Sequence, residues 1–200
     1  MNVKKKTTIW NLVAILVVPA LGQTVQSYLN VVMPYLMQDP EYFNVPYEEV
    51  GTQIGTAAFT VSIISTIVAP FLGQVYDEIG RKKVILFCGS CLPILLLCFP
   101  LSVPRIWLLI LIWTVMSILW RTLFINPLIC DYVKSESRGT ANGLFRYGFL
   151  LAEFTMITIF EFTRNLSLMQ RFYIPTIILS PIAISLFFTV REPSSKLYER

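Results

Sequence analysis

The sequence has no histidine and only four cysteines, and these shortages argue against a metal centre. A cysteine-based metal site would need further ligands, and histidine is the residue that most often supplies them. Cys88, Cys91 and Cys98 lie in one apolar run, and we interpret them, together with Cys130, as small packing residues. The sequence also shows no nucleophile motif and no cluster of metal ligands. We therefore predict that the protein is not an enzyme and holds no cofactor or metal.

Charged residues are scarce as well, at 14% of the chain, whereas 55% of the residues are hydrophobic. A soluble domain has about 25% charged and about 45–50% apolar residues. Too little polar surface is left here to cover a water-soluble globule, and the mean hydropathy is +0.65. The apolar residues form runs long enough to cross a hydrocarbon core about 30 Å thick as helices. The sequence therefore predicts an integral membrane protein whose partner is the lipid bilayer.

The predicted fold is all-α, with six transmembrane helices. The start of the chain resembles a signal peptide, but its apolar run continues past Gly22 to about Leu36, which is too long for a cleaved segment. We predict a cytoplasmic N-terminus at residues 1–8 and a cytoplasmic tail at residues 191–200. The bundle between them, residues 9–190, is predicted to have helices at about 9–37, 50–76, 83–101, 106–132, 140–162 and 172–190.

The net charge of +4 does not indicate nucleic-acid binding, because no soluble domain is present to carry a basic face. The basic residues instead flank the apolar runs, where they set the orientation of membrane helices. Three would be external, namely Arg105, Arg164 and Arg171. Eleven would be cytoplasmic, namely Lys4, Lys5, Lys6, Arg81, Lys82, Lys83, Lys134, Arg138, Arg191, Lys196 and Arg200. This bias predicts that both termini lie in the cytoplasm.

The first helix carries a polar stripe. Gln23, Gln26, Asn30 and Pro34 recur at a spacing that places them on one helical face. Amide side chains in contact with lipid would lack hydrogen-bond partners, so the stripe should face protein or a water-filled cavity. Two interpretations stay open, a solute path lined by the three amides or hydrogen bonding between helices. In the second helix, small residues at helical spacing predict a close approach to a neighbouring helix. They are Gly51, Thr52, Gly55, Thr56 and Thr60.

A charged hairpin, residues 73–83, separates the second and third apolar runs and reads Gly-Gln-Val-Tyr-Asp-Glu-Ile-Gly-Arg-Lys-Lys. It resembles motif A of the major facilitator superfamily, written G-x-L-a-D-r-x-G-r-k-x-x-l, which lies between helices 2 and 3 of that family. Val75 replaces the leucine of the motif, and Glu78 stands where arginine is common. The matching positions are Gly73, Asp77, Gly80, Arg81 and Lys82.

The charges of the hairpin also predict a cluster at one membrane surface. Asp77 and Arg81 are four residues apart, a spacing that allows an ion pair if the helix continues into the turn. Asp131 and Arg138, at the end of helix 4, look like the E-x6-R element of sugar-porter-type members, with Asp for Glu. The resemblance implies that such a cytoplasmic charge cluster latches one conformation of alternating access. The alternative, which suits Lys82 best, is that the basic residues only anchor the topology.

The resemblance covers essentially the whole chain and implies a six-helix half built as two three-helix repeats. Family members have twelve or more helices in two such halves, and the solute site lies between the halves near the bilayer midplane. The six helices here resemble the N-terminal half. We therefore expect the chain to work with a second six-helix half or as a homodimer, unless it is a truncated product.

Three charged residues fall inside the predicted helices. Arg121 shares a face of helix 4 with Thr114 and Ser117, and a charge within a membrane helix is costly and by default a functional candidate. It is predicted either to contact a solute or proton-coupling group in a cavity, or to form a structural ion pair. Arg146 and Glu153 share a face of helix 5. Glu153 is the candidate for proton coupling, unless it pairs with Arg121.

Asn165-Leu166-Ser167 is a glycosylation sequon in a predicted external turn, with Asn165 as the acceptor. The function implied by the family resemblance is transport of a small solute by alternating access, with the polar stripe and Arg121 along the path. Arg121 favours an anionic or polar solute. The alternative function is that of a non-transporting membrane protein, such as an accessory subunit, a sensor or a truncated remnant.

Overall fold

The structure is a computed structural model that describes residues 9–124 and 128–191, apart from the side chains of Phe124 and Asp131. Two short 3-10 turns, Phe99–Ser102 and Ser135–Ser137, connect longer helices. The described residues form the helices α1 (Ile9–Gln38), α2 (Tyr47–Ile79), α3 (Arg81–Cys98), α4 (Ile106–Phe124), α5 (Leu128–Tyr132), α6 (Arg138–Thr163) and α7 (Leu168–Thr189).

Six segments of the described chain are long and apolar enough to cross a membrane. The fourth span combines α4 with the start of α5, over Ile106–Cys130. This arrangement confirms the predicted all-α membrane fold. The helix ends differ in detail, since α2 runs from 47 to 79 rather than from 50 to 76. Likewise α7 begins at 168 rather than 172, because the Ser167 N–H donates a hydrogen bond to Gln170 Oε1 (3.3 Å) and caps the helix there.

The packing of the helices repeats itself between the two halves of the chain. α1 packs against α6 as α4 packs against α2, and α1 packs against α7 as α4 packs against α3. The pairs α1–α4 and α3–α7 also contact each other, and each joins equivalent helices of the two halves. Exchanging α1, α2 and α3 for α4, α6 and α7 therefore reproduces these contacts. This is the pattern expected of two three-helix repeats.

Glycine permits close helix approach at two positions in the core. A Cβ atom added to Gly148 in α6 would lie 2.7 Å from the Leu16 backbone oxygen of α1. A Cβ atom added to Gly89 in α3 would lie 2.5 Å from Leu186 Cδ1 of α7. These small residues let neighbouring helix backbones approach closely. As a result α1 is the most deeply covered span of the bundle.

The small residues of α2 do not have this role, and the prediction that they pack closely on a neighbouring helix of this chain is wrong. Gly51 and Gly55 are exposed, and a Cβ atom at either would meet nothing within 4 Å. α2 instead buries the branched and small side chains of Ala57, Val61 and Ser65. Both faces of α2 carry residues at helical spacing, so the spacing alone could not tell which face packs.

Two ends of the bundle are distinguished by their turns. The Gly80 end holds the α2–α3 turn, and there the Asn11 side chain of α1 donates a hydrogen bond to the Thr189 backbone oxygen of α7 (2.9 Å). The Asp39 end holds the α1–α2 and α6–α7 turns. At that end the rings of Phe99 and Phe172 stack with centroids 5.1 Å apart. Both ends are therefore fastened by contacts between helices that are distant in sequence.

Candidate functional site

A cavity of about 300 Å³ opens between α1, α2 and α4. We call it the central cavity. Its wall combines apolar side chains with one arginine, two side-chain amides, two serines and two tryptophans. The lining residues are Gln26, Asn30 and Met33 of α1, Ile54, Ala58, Val61 and Ser62 of α2, and Trp113, Ser117, Trp120 and Arg121 of α4.

Arg121 carries the charge of the central cavity. Its Nε atom is buried and has no hydrogen-bond partner, and its guanidinium carbon lies 5.7 Å from the centre of the Trp120 ring. The indole nitrogen of Trp113 is likewise buried without a hydrogen-bond partner. Among the described lining residues no carboxylate balances Arg121. The ion pair with Glu153, considered from the sequence, is not formed in the described part of the chain.

The polar stripe of α1 divides between two neighbours. Gln26 donates a hydrogen bond from Nε2 to Asn30 Oδ1 (2.9 Å), and both residues line the central cavity. Gln23 Nε2 instead lies 2.9 Å from Glu153 Oε1 of α6 and 3.0 Å from Ser27 Oγ. Gln23 is therefore not part of the cavity wall as described, although it was grouped with Gln26 and Asn30. Three residues along a helix turn the side chain by about 60°, which lets Gln23 reach α6 while Gln26 faces α2 and α4.

Glu153 and Arg146 lie outside the cavity on an exposed face of α6. Glu153 accepts the hydrogen bond from Gln23, whereas the Arg146 guanidinium carbon lies 5.7 Å from the centre of the Phe149 ring. Asn30 of α1 is exposed too. We call the side of the bundle that presents Asn30, Arg146 and Glu153 the open face.

Two tryptophans and a serine of the cavity wall were not predicted. Trp113, Trp120 and Ser62 all line the cavity, whereas Thr114, predicted on the Arg121 face, is buried and bonds the Ile110 backbone oxygen (2.7 Å). Trp113, Ser117, Trp120 and Arg121 follow the spacing i, i+4, i+7 and i+8, which is one helical face. The two tryptophans share this face with an intramembrane arginine, and that spacing was the sequence signal for their place beside it.

The hairpin turns at a single residue. α2 ends at Ile79 and α3 begins at Arg81. Gly80 between them has φ 100° and ψ 139°, a backbone conformation that residues other than glycine rarely adopt. The Gly80 N–H donates to the Tyr76 backbone oxygen (3.2 Å), and the Gly80 oxygen accepts from the Val84 N–H (3.2 Å). One turn earlier, the Tyr76 hydroxyl donates to the Thr122 backbone oxygen (2.5 Å). The hairpin is therefore bonded to α4 one residue beyond Arg121.

The described hairpin charges do not form the Asp77–Arg81 ion pair that their spacing allows. Asp77 is exposed, and within the described part of the chain its carboxylate makes no ion pair or hydrogen bond. The predicted pair with Arg81 needs a continuous helix, and Gly80 interrupts it. Arg81 and Lys82 are half-buried at the start of α3. Glu78 instead accepts a hydrogen bond from Gln74 (2.6 Å) within α2.

The rest of the predicted charge cluster is only partly visible. The side chain of Asp131 lies outside the described residues. Arg138 is half-buried at the first position of α6, and its Nε atom is buried without a hydrogen-bond partner. The cluster of Asp131 and Arg138 with the hairpin therefore stays a prediction.

Asn165 is exposed in the turn between α6 and α7, as its sequon requires. It borders a second cavity of about 400 Å³ at the Asp39 end. Arg164 pairs there with Glu161 (3.1 Å), and Arg171 Nε donates to the Leu166 backbone oxygen (2.9 Å). Both contacts hold the turn itself and leave glycosylation of Asn165 a prediction.

The family model described as Major Facilitator Superfamily matches residues 15–199, which is nearly the whole chain. The chain belongs to the major facilitator superfamily. This confirms the resemblance drawn from the hairpin, and the six spans agree with a multi-pass membrane protein of this family of transporters. No curated protein and no solved structure matches the chain.

Proposed function

We propose that this major facilitator chain transports a small solute by alternating access, with the central cavity as its part of the solute site. The observation that carries the proposal is the gathering of Arg121, Gln26 and Asn30 from two helices around one opening. At about 1.5 Å per residue, Arg121 lies about 22 Å along α4 from its start and Gln26 about 26 Å along α1. Since the two helices start at opposite ends of the bundle, these distances support a cavity between the two membrane surfaces.

We further propose that a second six-helix bundle covers the open face, whether it comes from the same protein, another chain or a second copy. Only 17% of the most apolar stretch of α2 is buried within the bundle, and only 28% of the corresponding stretch of the α6 span. Exposed apolar side chains alone suit lipid, but Asn30 and Glu153 are exposed within spans as well. Polar groups in contact with lipid are costly, so these residues favour a protein or water-filled neighbour on that side.

The hairpin is proposed to act as the latch between conformations. Asp77 lies in the last turn of α2, and Arg81 and Lys82 lie in the first turn of α3. Both placements oppose the helix dipoles, which favour acids at helix N-termini and bases at C-termini by about 0.3–1 kcal/mol each. Because these charges do not help the helices that carry them, they support a role toward groups outside those helices. The basic residues near this end also support a cytoplasmic Gly80 end.

Glu153 is proposed as the proton-coupling group, assisted by Gln23 and in the field of Arg146. Two observations support this role. Glu153 lies within an apolar span, and it is hydrogen-bonded to the Gln23 amide, which has a donor for a carboxylate and an acceptor for a protonated carboxyl group. If coupling runs through Glu153, Glu153→Gln should keep solute exchange between equilibrated vesicles and lose the response to a pH gradient. A variant that still responds to the gradient removes Glu153 from this role and leaves the central cavity unaffected.

Two-sided labelling tests the proposed function without knowledge of the solute. Ser62 is exposed toward the central cavity, so Ser62→Cys, in a variant lacking the four native cysteines, places a thiol in the solute path. A membrane-impermeant thiol reagent is applied to either face of sealed vesicles. Alternating access predicts labelling from both faces, because the cavity opens to each in turn.

Ile67→Cys is the matched control. Ile67 is an exposed apolar residue of the same helix that does not line the cavity, and its thiol in lipid should react from neither face. Labelling of Ser62→Cys from one face only would contradict the transporter and favour a non-transporting membrane protein such as a sensor or an accessory subunit.

A further inference from the structure

We infer that the central cavity selects a small organic anion, whose oxyanion group binds Arg121 while its apolar part lies against α1 and α2. The inference rests on the proposed transport function, because it names the class of solute for the same cavity. It is drawn from the charge, the hydrogen-bond donors and the size of the cavity.

The charge of the cavity is unbalanced. Among its described lining residues Arg121 is the only one with a full charge, and its buried Nε has no partner. A polar N–H group that is buried without a partner is costly, and the Arg121 side chain as a whole is half-buried. The nearest intramembrane carboxylate on α6, Glu153, is bonded to Gln23 outside the cavity. A bound anion would supply the missing counter-charge, and a guanidinium binds carboxylate, sulfonate or phosphate oxygens through two parallel hydrogen bonds.

The neutral polar groups point to the same class of ligand. The Trp113 indole N–H is a donor only, and it too is buried without a partner. Asn30 Oδ1 already accepts from Gln26, which leaves the Asn30 amide nitrogen as the unused group of that side chain. Ser117 adds a hydroxyl one turn before Arg121. Two unused groups near the cation, the Trp113 indole N–H and the Asn30 amide nitrogen, are donors, which suits an acceptor-rich anion better than a cationic amine.

The remaining wall of the cavity suits an apolar part of the solute. Met33, Ile54, Ala58 and Val61 are its apolar lining residues from α1 and α2. The volume of about 300 Å³ is at the lower end of the range for small-molecule sites, about 300–1,000 Å³. A short organic anion with one oxyanion group and an apolar part of a few carbons fits the part of the site that this chain supplies.

Tryptophan fluorescence of the purified full chain tests the inference. Trp113 and Trp120 report on the cavity once Trp10 and Trp107, which are both 64% exposed, are changed to phenylalanine. The ligands are butyrate, propanesulfonate, butyramide, butylammonium and inorganic phosphate. We expect butyrate or propanesulfonate to bind at least about tenfold more tightly than butyramide and butylammonium, as for a hydrogen-bonded charge pair. Inorganic phosphate is an oxyanion without an apolar part, so it tests whether the apolar part contributes to binding. Tighter binding of phosphate than of butyrate and propanesulfonate would overturn the apolar half of the inference.

Three variants locate the binding. Arg121→Gln should abolish the preference for the anion, and Arg121→Lys should retain it with weaker binding because the paired donors are lost. Arg164→Gln removes one positive charge from an exposed turn and should leave binding unchanged. Should Arg121→Gln fail to fold, Trp113→Phe, which removes the indole donor and leaves Trp120 as the fluorescence reporter, should still weaken anion binding several-fold.

Equal binding of anion and amide, or no binding of either anion, overturns the inference. That outcome is expected if a carboxylate of the second bundle neutralises Arg121. Labelling of Ser62→Cys from both faces would still support transport in that case, so failure of the solute class and failure of the transport proposal are distinguishable.

Discussion

Gly148 is the residue on which the close packing of α6 against α1 depends. Its missing side chain lets α6 approach the backbone of α1, since a Cβ atom there would meet the Leu16 oxygen at 2.7 Å. A backbone oxygen cannot rotate away as a side chain can. Gly148→Ala should therefore lower the free energy of unfolding by about 1–3 kcal/mol, measured by thermal unfolding in detergent.

Gly143 provides the matched control, because it lies in the same helix and a Cβ atom there would meet nothing within 4 Å. Gly143→Ala should leave stability unchanged or raise it by up to about 1 kcal/mol, since alanine favours a helix over glycine. Equal effects of the two substitutions would show that α1 and α6 do not approach closely at Gly148.

The two glycines of the hairpin motif should differ in the same experiment. Gly80→Ala places a side chain at φ 100°, which costs about 1–3 kcal/mol, whereas Gly73 is helical and a Cβ atom there meets nothing within 4 Å. Gly73→Ala should therefore be neutral for stability. A loss of two-sided labelling in Gly73→Ala, without a loss of stability, would indicate that its small size serves a contact with the second bundle. Destabilisation by Gly73→Ala as large as that by Gly80→Ala would contradict the conformations of this turn.

At the scale of single elements, the bond between α2 and α4 couples the hairpin to the cavity. The Tyr76 hydroxyl donates to the Thr122 oxygen (2.5 Å), and Tyr76 is buried. Tyr76→Phe removes the donor and leaves a buried acceptor, which should cost about 1–3 kcal/mol in thermal unfolding. Tyr147→Phe, at an exposed tyrosine of α6, should cost nothing measurable. If both variants unfold alike, the hairpin is not fastened to α4 by this bond.

The latch predicts a substitution that changes the access of the cavity to the two faces without lowering stability. Asp77→Asn removes an acid from the C-terminal turn of α2, so thermal stability should stay equal or rise by about 0.3–1 kcal/mol. The same change should shift the ratio of labelling of Ser62→Cys between the two faces. Glu78→Gln, whose side chain is bonded locally to Gln74, should leave that ratio unchanged. An unchanged ratio in Asp77→Asn would reduce the hairpin to a topology signal.

These elements also show how far sequence reasoning reaches. The six spans follow from hydropathy, and Gln26, Asn30 and Arg121 were predicted along one path because polar groups in an apolar helix need a partner. Helical spacing assigns residues to a face but does not name the neighbour of that face. For this reason Gln23 was expected in the path and reaches α6. Likewise Gly51 and Gly55 of α2 were expected against a neighbouring helix and are exposed.

At the scale of the whole molecule, the packing gathers one cavity from both repeats. Helices α1 and α4 are equivalent in the two repeats, and each brings its polar residues to the same opening. Trp113 and Trp120 join that opening because α4 turns this face toward α1 and α2. Their spacing places them on the face of Arg121, but the neighbour of that face required the helix packing, since tryptophan in an apolar helix equally suits lipid or the bundle core.

Protection of Ser62→Cys by a bound solute tests most directly that one cavity serves both faces of the membrane. The thiol is labelled from each face of sealed vesicles with and without butyrate, in the protein with and without Arg121→Gln. A single solute site reached in turn from both sides predicts that butyrate slows labelling from both faces and that Arg121→Gln removes the protection on both. Protection from one face alone, or labelling confined to one face, would contradict the account, because the central cavity would then be a one-sided pocket.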